Sequence, residues 1–342
     1  MIIQSKLKKK IITGIKPTGK LTLGNLLGVI RPLVLLQKKF YNKYDFYIFI
    51  ADLHSLTFFQ TPSLLKQVIK DTAALCLAAG LDLSITNLFI QSEVPQHTYL
   101  SYIMECTSYL GELNRMIQFK EKKKYNSEPN VRTSLFTYPI LMAADILLYD
   151  ADIVVVGQDQ KQHLELVRSL AIRFNSLYGN TFIVPDFLKI GHTINSLINP
   201  IKKMNKSDHL IDQSLEKGCI FLSEDLNLIR KKIMQSVTDS DNEIKYDTEK
   251  KPGLSNLLKI YSAFRDWDLN KTEAYFQGYS YQNLKIKVAD LVIKHLSIIQ
   301  NQFHYFRQSS ILANILSKSA EKSSIIAQNK LDEVKKKLGI GW

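Results

Sequence analysis

The sequence predicts an α/β protein in which a parallel-sheet domain precedes an α-helical C-terminal domain. Three observations support this. Short apolar runs alternate with helix-period segments over the first two-thirds of the chain, the pattern of strands joined by crossover helices. Glycine-rich or polar turns fall at the ends of those runs. After Ser207 the strand-like runs cease, and helix-period segments are separated by acidic and polar turns such as Thr238–Gly253.

Taken in order, Ile11–Thr13 reads as a strand and Gly14–Lys20 as its turn. Leu23–Phe40 follows as an amphipathic helix interrupted by Pro32, then Phe46–Ala51 as a strongly apolar strand. Pro62–Ala79 reads as a helix, Leu88–Gln91 as a strand and Thr98–Gln118 as a helix. Lys120–Asn130 has the polar, Lys-rich composition of a loop. Ile153–Val156 reads as a buried strand, followed by a helix over Gln160–Tyr178. Further helix periods lie near Asp225–Gln235, Leu254–Arg265, Lys285–Arg307 and Ser310–Leu338, which places a domain boundary near Asp212.

The 342 residues suffice for about two domains, and 45% apolar with 23% charged residues is ordinary for a globular protein. The 45 basic against 32 acidic residues leave a net charge of +13, spread over both halves of the chain. A broad face meeting a polyanion fits this, as does a plain Lys-rich composition. Cys76, Cys106 and Cys219 show no C-x-x-C or Cys/His spacing, so a structural zinc, an iron–sulfur cluster and a disulfide framework lack their ligands. No apolar run has membrane-span length, and Lys6–Lys10 leads into a strand rather than a signal segment. The expectation is a reducing, cytoplasmic setting.

In parallel sheets ligands collect at the carboxyl ends of strands, and the informative residues gather there: Lys16–Asn25, Asp52 and His54, and Gly157–Gln160. Gly24-Asn25 at a helix start offers N–H groups and room for an adenine or phosphate, although such turns also occur as plain connections. Lys203 and Lys206, on a short loop led by Pro200, place two ammonium groups where β- and γ-phosphates could be followed as pyrophosphate leaves. A solvated charged loop is the alternative. Together, Thr22–Asn25 and Lys203–Ser207 point to adenylate chemistry.

Pro139 suits a first helical position, after which Tyr138, Met142 and Asp145 share one face. A carboxylate inside Ile140–Leu148 needs a donor. That donor is either an aromatic ligand with an N–H or a protein group such as a backbone amide or an Arg. The strand Val154–Val156 ending at Gly157, with Gln158, Asp159 and Gln160 following, favours the ligand, and an Asp at such a turn can hold ribose hydroxyls.

Over nearly its whole length the chain resembles the bacterial-type tryptophanyl-tRNA synthetases of class I. The resemblance runs through Pro17-Thr18-Gly19, Thr22-Leu23-Gly24-Asn25, Gln91-Ser92-Glu93-Val94-Pro95, Gly111–Met116, Ala143–Tyr149, Gly157–His163 and Lys203–Ser207. It implies a Rossmann-like catalytic domain over residues 1–211, with a KMSKS-type loop at 203–207. It further implies a helical anticodon-binding domain over 212–302 and a C-terminal helix over 303–342 that packs back on the catalytic domain. By the same resemblance, Thr22, Asn25, Lys203, Lys206 and Ser207 are catalytic. Lys16, Pro17, Thr18, Gly24, Asn25, Gly157, Gln158, Asp159, Ile194, Lys203, Met204, Asn205, Lys206 and Ser207 contact ATP. Asp145 accepts the indole N–H, Tyr138 and Met142 wall the ring, and Gln160 and His54 lie near the amino acid's polar end.

The implied reaction joins L-tryptophan to tRNA(Trp) through tryptophanyl-adenylate. Mg²⁺ rides on the ATP phosphates, since no carboxylate cluster offers a cage, and the implied assembly is a homodimer. Asn205 stands where the family usually has a serine, and Lys16 where many members carry Gln. Arg230-Lys231-Lys232, Lys250-Lys251 and Arg265 could reach an anticodon, and Lys120–Lys124 an acceptor stem; solvated faces explain them equally. The rival readings are a tyrosyl-tRNA synthetase, a small-molecule nucleotidylyltransferase and a non-catalytic paralogue binding tRNA or nucleotide.

Overall fold

The structure is a computed structural model that describes residues 8–17, 19–116, 132–157, 160–204 and 217–341. Five strands form one sheet in the order β3-β2-β1-β4-β5: β1 Lys9–Ile15, β2 Tyr44–Ile50, β3 Thr86–Ile90, β4 Ile153–Val155 and β5 Asp186–Leu188. All pairings are parallel, with Ile11 opposite Phe46 on one side of β1 and opposite Ile153 on the other. The chain therefore builds outward from β1 through β2 and β3, then returns to lay down β4 and β5. That reversal opens a crevice at the carboxyl ends of β1 and β4. Where the β1–β4 ladder is short, the Thr13 hydroxyl donates to Val155 O at 2.6 Å and extends it.

Strand residues alternate between two cores, as the period of two requires. Ile11, Ile15, Phe46, Ile48, Ile50 and Leu88 face one core; Ile12, Tyr47, Phe49, Ala51 and Phe89 face the other. Each fully buried large side chain contributes about 1.5–3 kcal/mol. The first core is covered by α1 (Leu23–Asn25), α2 (Arg31–Phe40) and α3 (Pro62–Ala78). The second takes α4 (Gln96–Thr107), α5 (Leu110–Asn114), α6 (Ser134–Leu147) and α7 (Lys161–Tyr178). Helices α8 (Leu226–Met234), α9 (Pro252–Arg265), α10 (Leu269–Phe276) and α11 (Tyr281–Gln308) join the first core. The last helix, α12 (Ser310–Leu338), lies against β3 and α4. It is pinned by the nearly buried Lys330, whose ammonium meets Asp150 at 2.8 Å, Glu333 at 2.7 Å and Thr181 O at 2.8 Å.

Several elements differ from the sequence reading. The expected Thr98–Gln118 helix is two: α4 stops at Thr107, and α5 starts anew behind Tyr109, whose N–H the Glu112 carboxylate accepts at 3.0 Å. Helix α6 begins at Ser134 and holds Pro139 inside it rather than at its first position. Strand β5 and helix α10 were not anticipated. Pro32 does interrupt its helix as expected. It offers no N–H to Gly28 O, and the chain widens into a π-turn over Leu26–Ile30 before α2.

Gly191, at φ +72°, packs directly on this π-turn; a Cβ there would lie 2.3 Å from Gly28 O and 2.9 Å from Leu27 O. Gly191→Ala combines left-handed backbone strain with a backbone clash, so an expected loss of about 2–4 kcal/mol follows. Denaturant unfolding of the variant checks this; a midpoint equal to the wild type's contradicts it.

Candidate active site

A cavity of about 270 Å³ occupies the crevice at the carboxyl ends of β1 and β4. Its floor and walls are apolar: Ile12, Phe49, Ala51, Met142, Ile146, Val154 and Val156. Gly14 belongs to this floor. Any Cβ on it would meet the Phe49 ring at 2.6 Å, so its bare backbone is what lets that ring lie where it does. Polar groups enter at few points: Asp145, His54, Lys16, Thr57, Tyr138 and Gln160. A largely apolar concavity with a few placed polar groups is the usual form of a small-molecule site.

Tyr138, Met142 and Asp145 do share the cavity-facing side of α6, as their spacing predicts. Asp145 is 0% exposed. The sequence reading offers it either a ligand N–H or a protein donor such as a backbone amide or an Arg. Protein donors do hold it, and they are of other kinds, two imidazoles and a side-chain amide. His54 Nε2 lies 2.8 Å from Oδ2, while Gln91 Nε2 donates to Oδ1 at 2.6 Å and His97 Nδ1 lies 2.6 Å from the same oxygen. No guanidinium is among the partners found. His54 thus meets the carboxylate itself rather than standing apart from it.

Burial raises the Asp145 pKa, but the hydrogen bonds from His54 and His97 outweigh it and hold the group at about 2. A folded pKa depressed from the ordinary 3.8 means that the carboxylate's stabilisation is fully present above about pH 4 and is lost as pH falls through about 2. The stability difference between wild type and Asp145→Asn is therefore expected to narrow as pH falls from about 4 toward 2. Acid titration of both proteins measures this; a difference that stays unchanged over that range contradicts it.

At the cavity mouth the Tyr138 hydroxyl meets His163 Nε2 at 2.8 Å, and His163 Nδ1 meets Gln160 Oε1 at 2.9 Å. The His54 ring stands edge-on to Tyr138, with centroids 6.3 Å apart. Gln160 precedes the first turn of α7, so the amide end of an 18-residue helix lies beside the mouth and favours an anion there. The Lys16 ammonium lies in the same cavity, 3.2 Å from Thr57 Oγ1 and 5.1 Å from the Phe58 ring centre. Lys16 therefore brings a positive charge to this cavity.

The class-signature segment is built differently from its sequence reading. The N–H groups of Leu23 and Asn25 are not free: Ile220 O accepts the first at 2.8 Å, and Thr22 O accepts the second at 2.9 Å. Thr22 and Asn25 also cap each other, with Thr22 N–H donating to Asn25 Oδ1 at 3.0 Å. Gly24 fronts the lysine loop, and a Cβ on it would reach Met204 Cβ at 3.6 Å.

The stem of that loop is held by backbone. Met204 N–H donates to Ile194 O at 2.9 Å, and Asn195 bridges to Lys203. The buried Asn256 of α9 clamps Asn195 twice: its Oδ1 accepts from the Asn195 N–H and its Nδ2 donates to the Asn195 carbonyl, both at 2.8 Å. Ile194 is itself 1% exposed, so its side chain belongs to the core and its carbonyl to the stem of the loop. Gly157 and Pro17 lie among the described residues, whereas Thr18, Gln158, Asp159, Asn205, Lys206, Ser207, Lys120–Lys124 and Asp212 lie outside them.

Two of the candidate nucleic-acid lysines are corrected. Lys232 is buried against Glu224 at 2.5 Å and Cys219 O at 2.8 Å, and Lys251 against Asp239 at 3.0 Å and Asp241 at 2.8 Å. Lys231, Lys250 and Arg265 remain on the surface, and Arg230 pairs with Asp290 at 2.6 Å. The residues that sequence reasoning missed are Gln91, His97 and Tyr149. Gln91 and Tyr149 fall inside segments that carry the resemblance, but nothing local marks them as partners of Asp145.

Residues 5–297 match the family of tRNA synthetases class I (W and Y). The chain belongs to this family. A tryptophan–tRNA ligase from Caldanaerobacter subterraneus subsp. tengcongensis is 44% identical to this synthetase over 97% of the chain and 98% of its own length. The crystal structure of tryptophanyl-tRNA synthetase from Mycoplasma pneumoniae superposes with TM-score 0.88 at 37% identity, covering 98% of this chain and 99% of that one. The Campylobacter jejuni tryptophanyl-tRNA synthetase, solved as a complex with ADP and tryptophan, gives 0.77 at 29% identity, over 97% of this chain and 100% of that one. The synthetase fold of these proteins is the five-stranded parallel sheet with its helical C-terminal region described above.

Proposed function

We propose that this synthetase is a tryptophan–tRNA ligase: it activates L-tryptophan with ATP to tryptophanyl-adenylate and pyrophosphate, then transfers tryptophan to the 3′ end of tRNA(Trp). The observation that supports this best is the ionised, wholly buried Asp145 at the side of a largely apolar cavity. Such a group fits an aromatic ring bearing an N–H, since a site built to hydrogen-bond a buried donor rejects analogues lacking it. Near-full-length relatives described as tryptophan–tRNA ligases support the same reading.

In this reading the indole lies between Tyr138 and Met142 with its N–H on Asp145 beside His54, while Gln160 and Lys16 flank its polar end. ATP lies over Thr22–Asn25, against Lys16, Pro17, Thr18, Gly157, Gln158, Asp159 and the backbone at Ile194. Lys203, Met204, Asn205, Lys206 and Ser207 close on its phosphates. Mg²⁺ arrives on those phosphates as part of the substrate. The tryptophan carboxylate attacks the α-phosphorus, the bond to the bridging oxygen of pyrophosphate breaks, and Lys203 and Lys206 neutralise the leaving charge. The terminal ribose of tRNA then takes the acyl group and AMP leaves. Residues 1–211 form the catalytic domain, 212–302 bind the anticodon region, and 303–342 brace the catalytic domain in a cytoplasmic enzyme.

The active assembly is a homodimer. Tyr102 and Leu110, each 68% exposed, leave apolar surface on α4 and α5 that a second copy would cover. Replacing both with Asp is expected to give a monomer by sedimentation; an unchanged mass places the interface elsewhere. Pyrophosphate exchange measured with each of the twenty amino acids, followed by charging of tRNA(Trp), tests the function itself. Tryptophan alone is expected to drive exchange, and exchange driven by tyrosine would transfer the assignment to the other amino acid of the family.

A further inference from the structure

The two oxygens of Asp145 face different surroundings. Oδ2 meets His54, which lines the cavity; Oδ1 meets Gln91 and His97, which do not. Gln91 and His97 are both 0% exposed and come from separate elements, the turn after β3 and the start of α4. An ionised carboxylate oxygen can only accept, so Gln91 Nε2 and His97 Nδ1 carry the hydrogens. On the far side, His97 Nε2 lies 2.9 Å from the Tyr149 hydroxyl. Tyr149 is sealed between Tyr47 and Phe89, with ring centroids 5.2 Å and 5.7 Å away. The hydroxyl thus partners Nε2 while Asp145 partners Nδ1, and the two contacts together fix the orientation of the His97 ring.

A cluster arranged for stability alone would satisfy all its atoms. Here Gln91 Oε1 is buried with no hydrogen-bond partner among the described residues. An orphaned acceptor beside a twice-bonded Oδ1 marks an amide retained for its donor end.

We propose that Gln91 and His97, backed by Tyr149, are positioning residues that set the amino-acid selectivity of this synthetase. By saturating Oδ1 they fix the carboxylate plane and leave Oδ2 as the acceptor turned to the ligand's ring N–H. None of the three touches the ligand. The proposal rests on the reading of the cavity as the tryptophan site and deepens it.

The test compares pyrophosphate exchange supported by tryptophan and by β-(3-benzothienyl)alanine, in which sulfur replaces the ring N–H. Gln91→Met removes the donor and the orphaned acceptor together. Its melting temperature is expected to equal or exceed that of the wild type, while its preference for tryptophan over the analogue falls about 10-fold and its KM for ATP stays within about twofold. Tyr149→Phe removes the contact to Nε2 that helps orient the His97 ring and is expected to lower the same preference about threefold. An unchanged preference in Gln91→Met, or KM values for tryptophan and ATP that rise together, would overturn the proposal. A wild type without preference for tryptophan over the analogue overturns the reading of the cavity, and the proposal with it.

Discussion

Asp145→Asn is expected to fold and to lose tryptophan-dependent pyrophosphate exchange by about 10²–10³ in kcat/KM. The substitution is isosteric, so the direction of its effect depends on which way the amide turns. Gln91 and His97 both donate to Oδ1 and select the carbonyl oxygen for that side. The amide NH₂ must then take the place of Oδ2, facing His54 and the cavity, where it sets a donor against the donor of the ring. Asp145→Ala goes further and leaves the buried donors of Gln91 and His97 without their acceptor, at about 1–3 kcal/mol each, so its loss of activity mixes with loss of fold. The asparagine variant is the more informative of the two. It is checked by exchange kinetics beside a thermal melt, and activity within about threefold of wild type would remove Asp145 from the site.

The second large effect is expected at the lysine loop. Lys203→Ala or Lys206→Ala should lower kcat for exchange about 10²–10³-fold, while tryptophan binding measured by calorimetry stays within about twofold. The reason is that the charge these ammonium groups meet grows only as pyrophosphate departs. Lys203 is exposed at a stem that Ile194, Asn195 and Asn256 hold by backbone and amide bonds. Its side chain can therefore serve the phosphates without disturbing the fold. Tryptophan affinity lost in proportion to kcat would make the loop part of the amino-acid site instead.

The α/β architecture was legible because long apolar runs such as Phe46–Ile50 have few other uses in a globular chain. Strand β5 escaped notice because it has three residues and begins with an acid. The break between α4 and α5 was written locally, in the spacing of Tyr109 and Glu112, but the apolar periodicity running across it was the louder signal. Asp145 was legible as a site residue because a carboxylate in an apolar helix demands a partner. Its actual partners were not, since Gln91 and His97 lie 54 and 48 positions away and only the sheet brings them together. The same limit misled the reading of Lys232 and Lys251. In sequence they sit in basic runs, and in the fold each is buried against acids that arrive from neighbouring turns.

A crystal structure of the synthetase with bound tryptophan tests the central claim most directly. The indole nitrogen is expected within about 3 Å of Asp145 Oδ2, with Gln91 and His97 still on Oδ1 and the ring between Tyr138 and Met142. An indole bound with its nitrogen turned away from a carboxylate that His54 alone continues to occupy would contradict the account.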